Sequence, residues 1–213
     1  AAVAMARDSR FAFAPIVTPR GDILHGAVRP EVLNARDLLI MDIGAESPRG
    51  YASDITRTLP TGGRFTSPQR EIYEIVLKAQ KAAIAAIAQG KLYRDIHLEA
   101  AKVISQGLTD VGVMHGDVDA AVAEGAHALF FPHGLGHMLG LDAHDLEALG
   151  EDFVGYDDEV ARSEQFGLNA LRLARRLERG FTLTVEPGIY FNRALIEKWR
   201  RERRAEAYIH YDK

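Results

Sequence analysis

The stretch Leu38-Leu39-Ile40-Met41-Asp42-Ile43-Gly44-Ala45-Glu46-Ser47-Pro48-Arg49-Gly50-Tyr51-Ala52-Ser53-Asp54-Ile55-Thr56-Arg57-Thr58 decides how this chain is read. An apolar run enters, Ser47-Pro48-Arg49-Gly50 turns the chain and a mixed run returns, which is the composition of a β-hairpin. With the turn centred near Pro48, Asp42 and Asp54 lie opposite each other on one sheet face. Like charges directly opposite destabilise a strand pair. A hard divalent cation takes carboxylate oxygens and removes that penalty. Two solvated aspartates on a polar strand face are the bland alternative.

A second stretch, Pro132-His133-Gly134-Leu135-Gly136-His137, makes the cation reading stronger. His127, His133, His137 and His144 fall within 18 residues and are half of the chain's 8 histidines. Imidazole is the commonest nitrogen ligand for a transition metal and the usual proton carrier near neutral pH. Spacing of four would put His133 and His137 on one helix face, as in zinc-protease helices. Two intervening glycines make that helix costly, so an extended or tightly turned backbone is expected. One histidine then suffices for metal, leaving the other for substrate. His127, in an alanine-rich context, is read as structural, and His97 and His115, in ordinary polar surroundings, are left out of the site.

Composition bounds the alternatives. At 213 residues with 47% hydrophobic content, the chain can bury a real core as one large domain. No apolar run approaches membrane-span length. The net charge of −4 and pI near 6.1 argue against a general nucleic-acid binder. With no cysteine there is no disulfide, thiol nucleophile or thiolate metal site, so any metal must use carboxylates and imidazoles. The opening Ala1-Ala2-Val3-Ala4 lacks an initiator methionine and reads as processed or cut from something longer. A cytoplasmic location is the default expectation, since no convincing secretion signal is present.

Phe11-Ala12-Phe13 and Ile16-Val17-Thr18 read as short strands before the turn Pro19-Arg20-Gly21-Asp22. His25 follows two aliphatic residues, a setting that is usually structural. Ser67 caps a helix opened by Pro68, with Ile72, Ile75, Val76, Ala79, Ala83 and Ile87 on one face and a stop at Gly90. A second helix starts near Asp95 and ends before Gly112. His115 to Gly125 reads as a loop holding one helical turn. Asp142 to Asp158 reads as a solvated acidic loop without the EF-hand pattern. Phe166 to Leu177 is helix or extended entry. A strand over Phe181–Val185 ends in Glu186-Pro187-Gly188, a rigid place for a ligand or base. Arg193 to Ala207 is a basic helix with Leu195, Ile196 and Trp199 on its apolar side.

Five blocks together, Asp42-Ile43-Gly44-Ala45-Glu46, Tyr51 to Thr58, His133 to His137, Gly140-Leu141-Asp142-Ala143-His144-Asp145 and Val185-Glu186-Pro187-Gly188-Ile189-Tyr190, resemble the signatures of the prolidase and aminopeptidase P family, in its order and at compatible spacings from about Ile16 to Lys213. The resemblance implies an α+β pita-bread fold, a curved antiparallel sheet flanked by helices, around a two-metal site. It implies Asp42, Asp54, His137 and Glu186 as metal ligands, with Asp54 bridging. It places His25, His133 and His144 around the substrate, with His144 stabilising the oxyanion and Glu186 shuttling a proton. Arg172 matches the prolidase arginine that holds a dipeptide's free carboxylate, a task suited to a guanidinium fork. The implied reaction is hydrolysis of the peptide bond before proline by a hydroxide activated by two divalent ions. Manganese is the first choice, with cobalt or zinc as alternatives.

Xaa-Pro dipeptidase activity is thus the leading expectation. Xaa-Pro aminopeptidase action on longer peptides, or an impaired pita-bread binding module, is the alternative. The expected partner is a small peptide with proline after the scissile bond, with neither nucleic acid nor membrane; family members are often dimers, which makes a homodimer an expectation. Residues 1–213 are expected to form the catalytic domain without the family's N-terminal domain. The family's fifth carboxylate follows the region matching Tyr208 to Lys213, and Glu197, Glu202 and Glu206, in the basic helix, do not replace it. Weak or single metal binding and poor activity are therefore expected of this chain.

Overall fold

The computed structural model describes residues 6–23 and 32–212. Its organising strand is β3 (Leu38–Ile43), half-buried at every position. β2 (Ile16–Thr18) pairs antiparallel with one edge, aligning Ile16 with Asp42, and β5 (Ile55–Pro60) pairs with the other, aligning Asp42 with Thr56. A two-stranded ribbon of β1 (Arg10–Phe11) and β4 (Ala45–Glu46) continues beside it. The break between β3 and β4 falls at buried Gly44, where a Cβ would stand 2.1 Å from the Ser53 carbonyl and 2.4 Å from the Phe13 ring.

The hairpin forms, but its register differs from the expectation. Asp42 faces Thr56, and Asp54 is two residues further along the same face. The cause is the turn: Tyr51 donates its N–H to Ser47 Oγ, Ser47 donates to the Tyr51 carbonyl, and Gly50 takes φ 84°. The centre is thereby Arg49 rather than Pro48. A shift of two residues preserves the side-chain face, so the aspartates still share it as diagonal neighbours.

Two helices back this region. α1 (Ser67–Ala86) starts where the Gln69 side chain accepts from the Thr66 N–H at 2.9 Å, with Pro68 in the first turn. α2 (Tyr93–Asp110) buries Ile96, Ala100, Ile104 and Leu108 completely. A Cβ on Gly107 would lie 2.6 Å from the Ile75 side chain, so glycine sets how closely α1 and α2 approach. His97 is fully buried in α2 with its ring 6.1 Å from that of equally buried His127. The expectation of polar surroundings for His97 is corrected: it lies on the same face as Ile96 and Ala100, and the structural reading of His127 fits its burial.

Shorter elements complete the core: α3 (Val118–Ala123), capped where Asp117 accepts from Ala120 N–H at 2.8 Å, α4 (Glu151–Gly155) and α5 (Arg193–Arg201). Asn192 caps α5 through the Leu195 N–H at 3.0 Å, and Trp199 is its buried anchor. The strand expected over Phe181–Val185 is not formed as a regular strand. Instead, this segment makes a one-sided ladder with residues 135–139, joining Leu139 N–H to the Thr182 carbonyl, Thr184 N–H to His137 and Glu186 N–H to Leu135. Phe166 to Leu177 resolves into a short 3-10 turn at Leu168–Ala170 and an extended run that buries Leu171, Leu173 and Leu177. No helix among the described residues is long and apolar enough to cross a membrane.

Candidate metal centre

Three segments meet at one point: the start of β5, the glycine-flanked histidine run, and the end of the 181–186 ladder. Asp54, His137 and Glu186 each aim a ligand atom there, all within 4.8 Å of one another. His137 Nε2 lies 3.4 Å from Asp54 Oδ2 and 3.2 Å from Glu186 Oε1. Its Nδ1 faces the Met138 carbonyl at 2.9 Å, which directs Nε2 toward the carboxylates. The backbone at His137 is not helical, as the glycines led us to expect. A Cβ on Gly136 would stand 2.1 Å from the Thr184 carbonyl, so only glycine admits this approach. Thr184 ties the arrangement together: its Oγ1 accepts the His137 N–H at 3.0 Å and donates to Glu186 Oε1 at 2.7 Å.

Asp42 lies beside this trio. Burial, then the negative charge of Asp54, raises its carboxyl to about 6, and its Oδ1 is buried without a partner among the described residues. Burial alone would lower His137, but Asp54 and Glu186 reverse this and hold it at about 10. Burial opposes ionisation of Asp54 and of Glu186, yet the imidazole keeps both carboxyls below the usual range. The pocket therefore attracts positive charge, and three carboxylates with one imidazole suit a divalent cation that accepts oxygen and nitrogen.

The remaining expected residues surround this centre unevenly. His144 stacks on His137 with ring centroids 4.0 Å apart, and its Nδ1 contacts Glu147 Oε2 at 3.0 Å. His133 sets Nε2 3.0 Å from the Tyr190 hydroxyl and Nδ1 2.7 Å from the Gly134 carbonyl, and its charge acts on Glu186 of the trio. Arg172 contacts Glu147 through Nη1 and Glu151 at 2.9 Å. The acidic stretch is thus more than a solvated loop, because two of its carboxylates are engaged by this arginine. His25 lies outside the described residues. Glu197 and Glu206 pair with Arg193 and Arg203 on the surface, away from the centre.

A model of metallopeptidase family M24 matches residues 2–209. The chain belongs to this family. Among curated relatives, it is 42% identical over 170 residues to the Xaa-Pro aminopeptidase of Haemophilus influenzae, covering 80% of this chain and 35% of the relative. To the Xaa-Pro dipeptidase of Homo sapiens it is 39% identical over 173 residues, covering 81% and 34%. Zinc-substituted E. coli aminopeptidase P in complex with product superposes with a TM-score of 0.69 at 38% identity, over 84% of this chain and 37% of that one. Proline aminopeptidase P II from Yersinia pestis gives 0.68 at 37% identity, with the same coverage. The chain spans little more than a third of the length of these relatives. The fold is the pita-bread fold of these neighbours, mixed helix and antiparallel sheet, and membership in this family implies divalent metal ions.

Four contributors carried no role in the sequence reading. Tyr190 holds His133; Thr184 joins His137 to Glu186; Tyr93 donates its hydroxyl hydrogen to the Thr184 carbonyl at 2.5 Å; and Glu147 joins His144 to Arg172. Thr184 and Tyr190 flank the Glu-Pro-Gly turn, the one signal that could have marked them. Nothing in the acidic run distinguishes Glu147 from its neighbours.

Proposed function

We propose that this chain forms the metal centre of a peptidase that hydrolyses the bond preceding proline. The observation that carries the reading is the convergence of Asp54, His137 and Glu186 beside a half-buried, partly unpartnered Asp42. In this reading Asp54, His137 and Glu186 hold one divalent ion, and Asp42 with Asp54 serves a second. Manganese is preferred over cobalt or zinc because three of the four donors are carboxylates. Such ions would supply Lewis acidity, polarising a carbonyl oxygen and lowering the pKa of a bound water.

The chain's own groups do the rest. His144, held by its stack on His137 and its contact with Glu147, faces the developing oxyanion as a donor, a role typically worth about 3–4 kcal/mol. Glu186 keeps Oε1 bound to Thr184 and offers Oε2 for moving the proton to the departing proline nitrogen. His133, oriented by Tyr190, lines the substrate side, where the resemblance also places His25. Proline lacks an amide hydrogen and has a fixed ring, so recognition depends on shape and on the rest of the peptide. Arg172 as a fork for a dipeptide carboxylate gives the dipeptidase reading. Its engagement by Glu147 and Glu151 favours the second reading, action on longer peptides.

The test is manganese binding by calorimetry combined with release of the residue before proline from Ala-Pro and Ala-Pro-Ala. Manganese binding lost in His137→Ala, together with cleavage of at least one peptide by the wild-type chain, supports the reading. A wild-type chain that binds manganese no better than His137→Ala overturns it.

A further inference from the structure

The arginine beside the metal centre is not a free cation. One guanidinium, Arg172, meets two carboxylates, Glu147 through Nη1 and Glu151 at 2.9 Å; with Arg162 shared between Glu151 and Asp152, these five side chains together carry one net negative charge. Glu147 is largely buried, its side chain 11% exposed, and its Oε2 also contacts His144 Nδ1 at 3.0 Å. Glu151 is fixed from behind by Arg162, which reaches it at 2.9 Å while also donating to the Asn169 and Leu171 carbonyls at 3.0 Å. Both acids are therefore held by the fold rather than swinging freely. The link is continuous from the centre outward: His137 stacks on His144, His144 meets Glu147, and Glu147 meets Arg172.

We propose that Glu147 and Glu151 are specificity-determining residues that neutralise Arg172 and select peptides continuing past proline over Xaa-Pro dipeptides. This rests on the peptidase reading above. A dipeptide would bring a third carboxylate to a guanidinium already shared by two. A peptide that continues offers instead an uncharged carbonyl and a backbone N–H, and the carboxylates accept such a donor well. Like charge at a part-exposed site costs enough to discriminate. The selection acts at the arginine, whereas Glu147 alone also orients His144, so the two acids are separable. Glu147→Gln should lower kcat as well as relax the preference, and Glu151→Gln should relax the preference alone.

Two pairs of probes test this on the manganese-loaded full chain. Proline and prolinamide cannot be hydrolysed and differ in the carboxylate; their affinities are read by calorimetry. Ala-Pro and Ala-Pro-Ala report the same choice as kcat/KM. Wild type should bind prolinamide about tenfold more tightly than proline, the scale of one unfavourable charge contact, and should prefer Ala-Pro-Ala. Glu151→Gln, which leaves His144 untouched, should narrow both gaps. Tighter binding of proline by wild type, or gaps unchanged in both Glu147→Gln and Glu151→Gln, overturns the proposal while leaving the peptidase reading standing. Discrimination between proline and prolinamide without cleavage of either peptide supports the subsite and sinks the peptidase reading. Binding of neither probe with no cleavage overturns both.

Discussion

Gly136→Ala is the substitution with the clearest structural consequence. The added methyl would begin 2.1 Å from the Thr184 carbonyl oxygen and 2.7 Å from its Oγ1, neither of which is the far end of a flexible side chain. The ladder between residues 135–139 and 182–186 must open. Overpacking of this kind costs about 1–3 kcal/mol, and losing one of the Thr184–His137 hydrogen bonds adds about 1 kcal/mol. The expected destabilisation is therefore about 2–4 kcal/mol, which moves a urea midpoint down by about 1–2 M at an ordinary m-value. The same displacement separates His137 from Glu186, so manganese affinity should fall by at least about tenfold, equivalent to 1.4 kcal/mol. Gly63→Ala is the control: it meets open space in the turn after β5 at φ 77° and should cost about 1–2 kcal/mol without touching manganese binding. Urea titration and manganese calorimetry on both variants supply the comparison. Wild-type stability and affinity in Gly136→Ala would refute the claim that glycine permits the approach of these two segments.

Three further outcomes follow from the buried framework. Burial holds His97 at about 3 and His127 at about 4, against an ordinary value of 6.5. Both are neutral in the folded protein and take up protons when unfolded below that value. Their contribution is present above pH 6.5 and declines on acidification toward the folded values, by up to about 1.4 kcal/mol per pH unit for each histidine. Urea stability should therefore drop between pH 6.5 and pH 5, and a His127→Gln variant with an unchanged slope would count against this assignment. Trp199→Ala should destabilise by about 3–5 kcal/mol, because the indole is 1% exposed and packed against Phe166 and the Arg204 guanidinium; thermal melting followed by circular dichroism reads it. Asn192→Ala should cost about 1 kcal/mol by removing the cap of α5, with manganese affinity as the property that must stay fixed.

The elements with strong local signals were legible. Period-3.6 apolar positions and the Pro68 start placed α1, and Leu38 to Ile43 flanked by turn residues placed β3. The glycines around His137 correctly excluded a helix because their cost is intrinsic to the backbone. Register was harder: the turn could centre at Pro48 or Arg49, and the Arg49 centre goes with one side-chain bond, Tyr51 N–H to Ser47 Oγ, and the backbone bonds around it. Phe181 to Val185 has strand composition, but among the described residues its backbone ladder runs only to residues 135–139, with a single bridge between Leu183 and Met138. At the site, residue types with intrinsic metal chemistry stood out, and Asp54, His137 and Glu186 do converge. Thr184, Tyr190 and Glu147 did not stand out, since their roles depend on which segments pack together. His97 failed for the same reason: a histidine among polar neighbours in sequence sits on the buried side of α2 in space.

The most direct measurement is manganese content after dialysis against a buffer of defined manganese concentration, by metal analysis, for the wild-type chain and His137→Ala side by side. If the trio is a metal centre, the wild-type chain retains manganese and His137→Ala, folded by circular dichroism, loses it. Equal retention by the two, or none by a folded wild-type chain, would contradict the account.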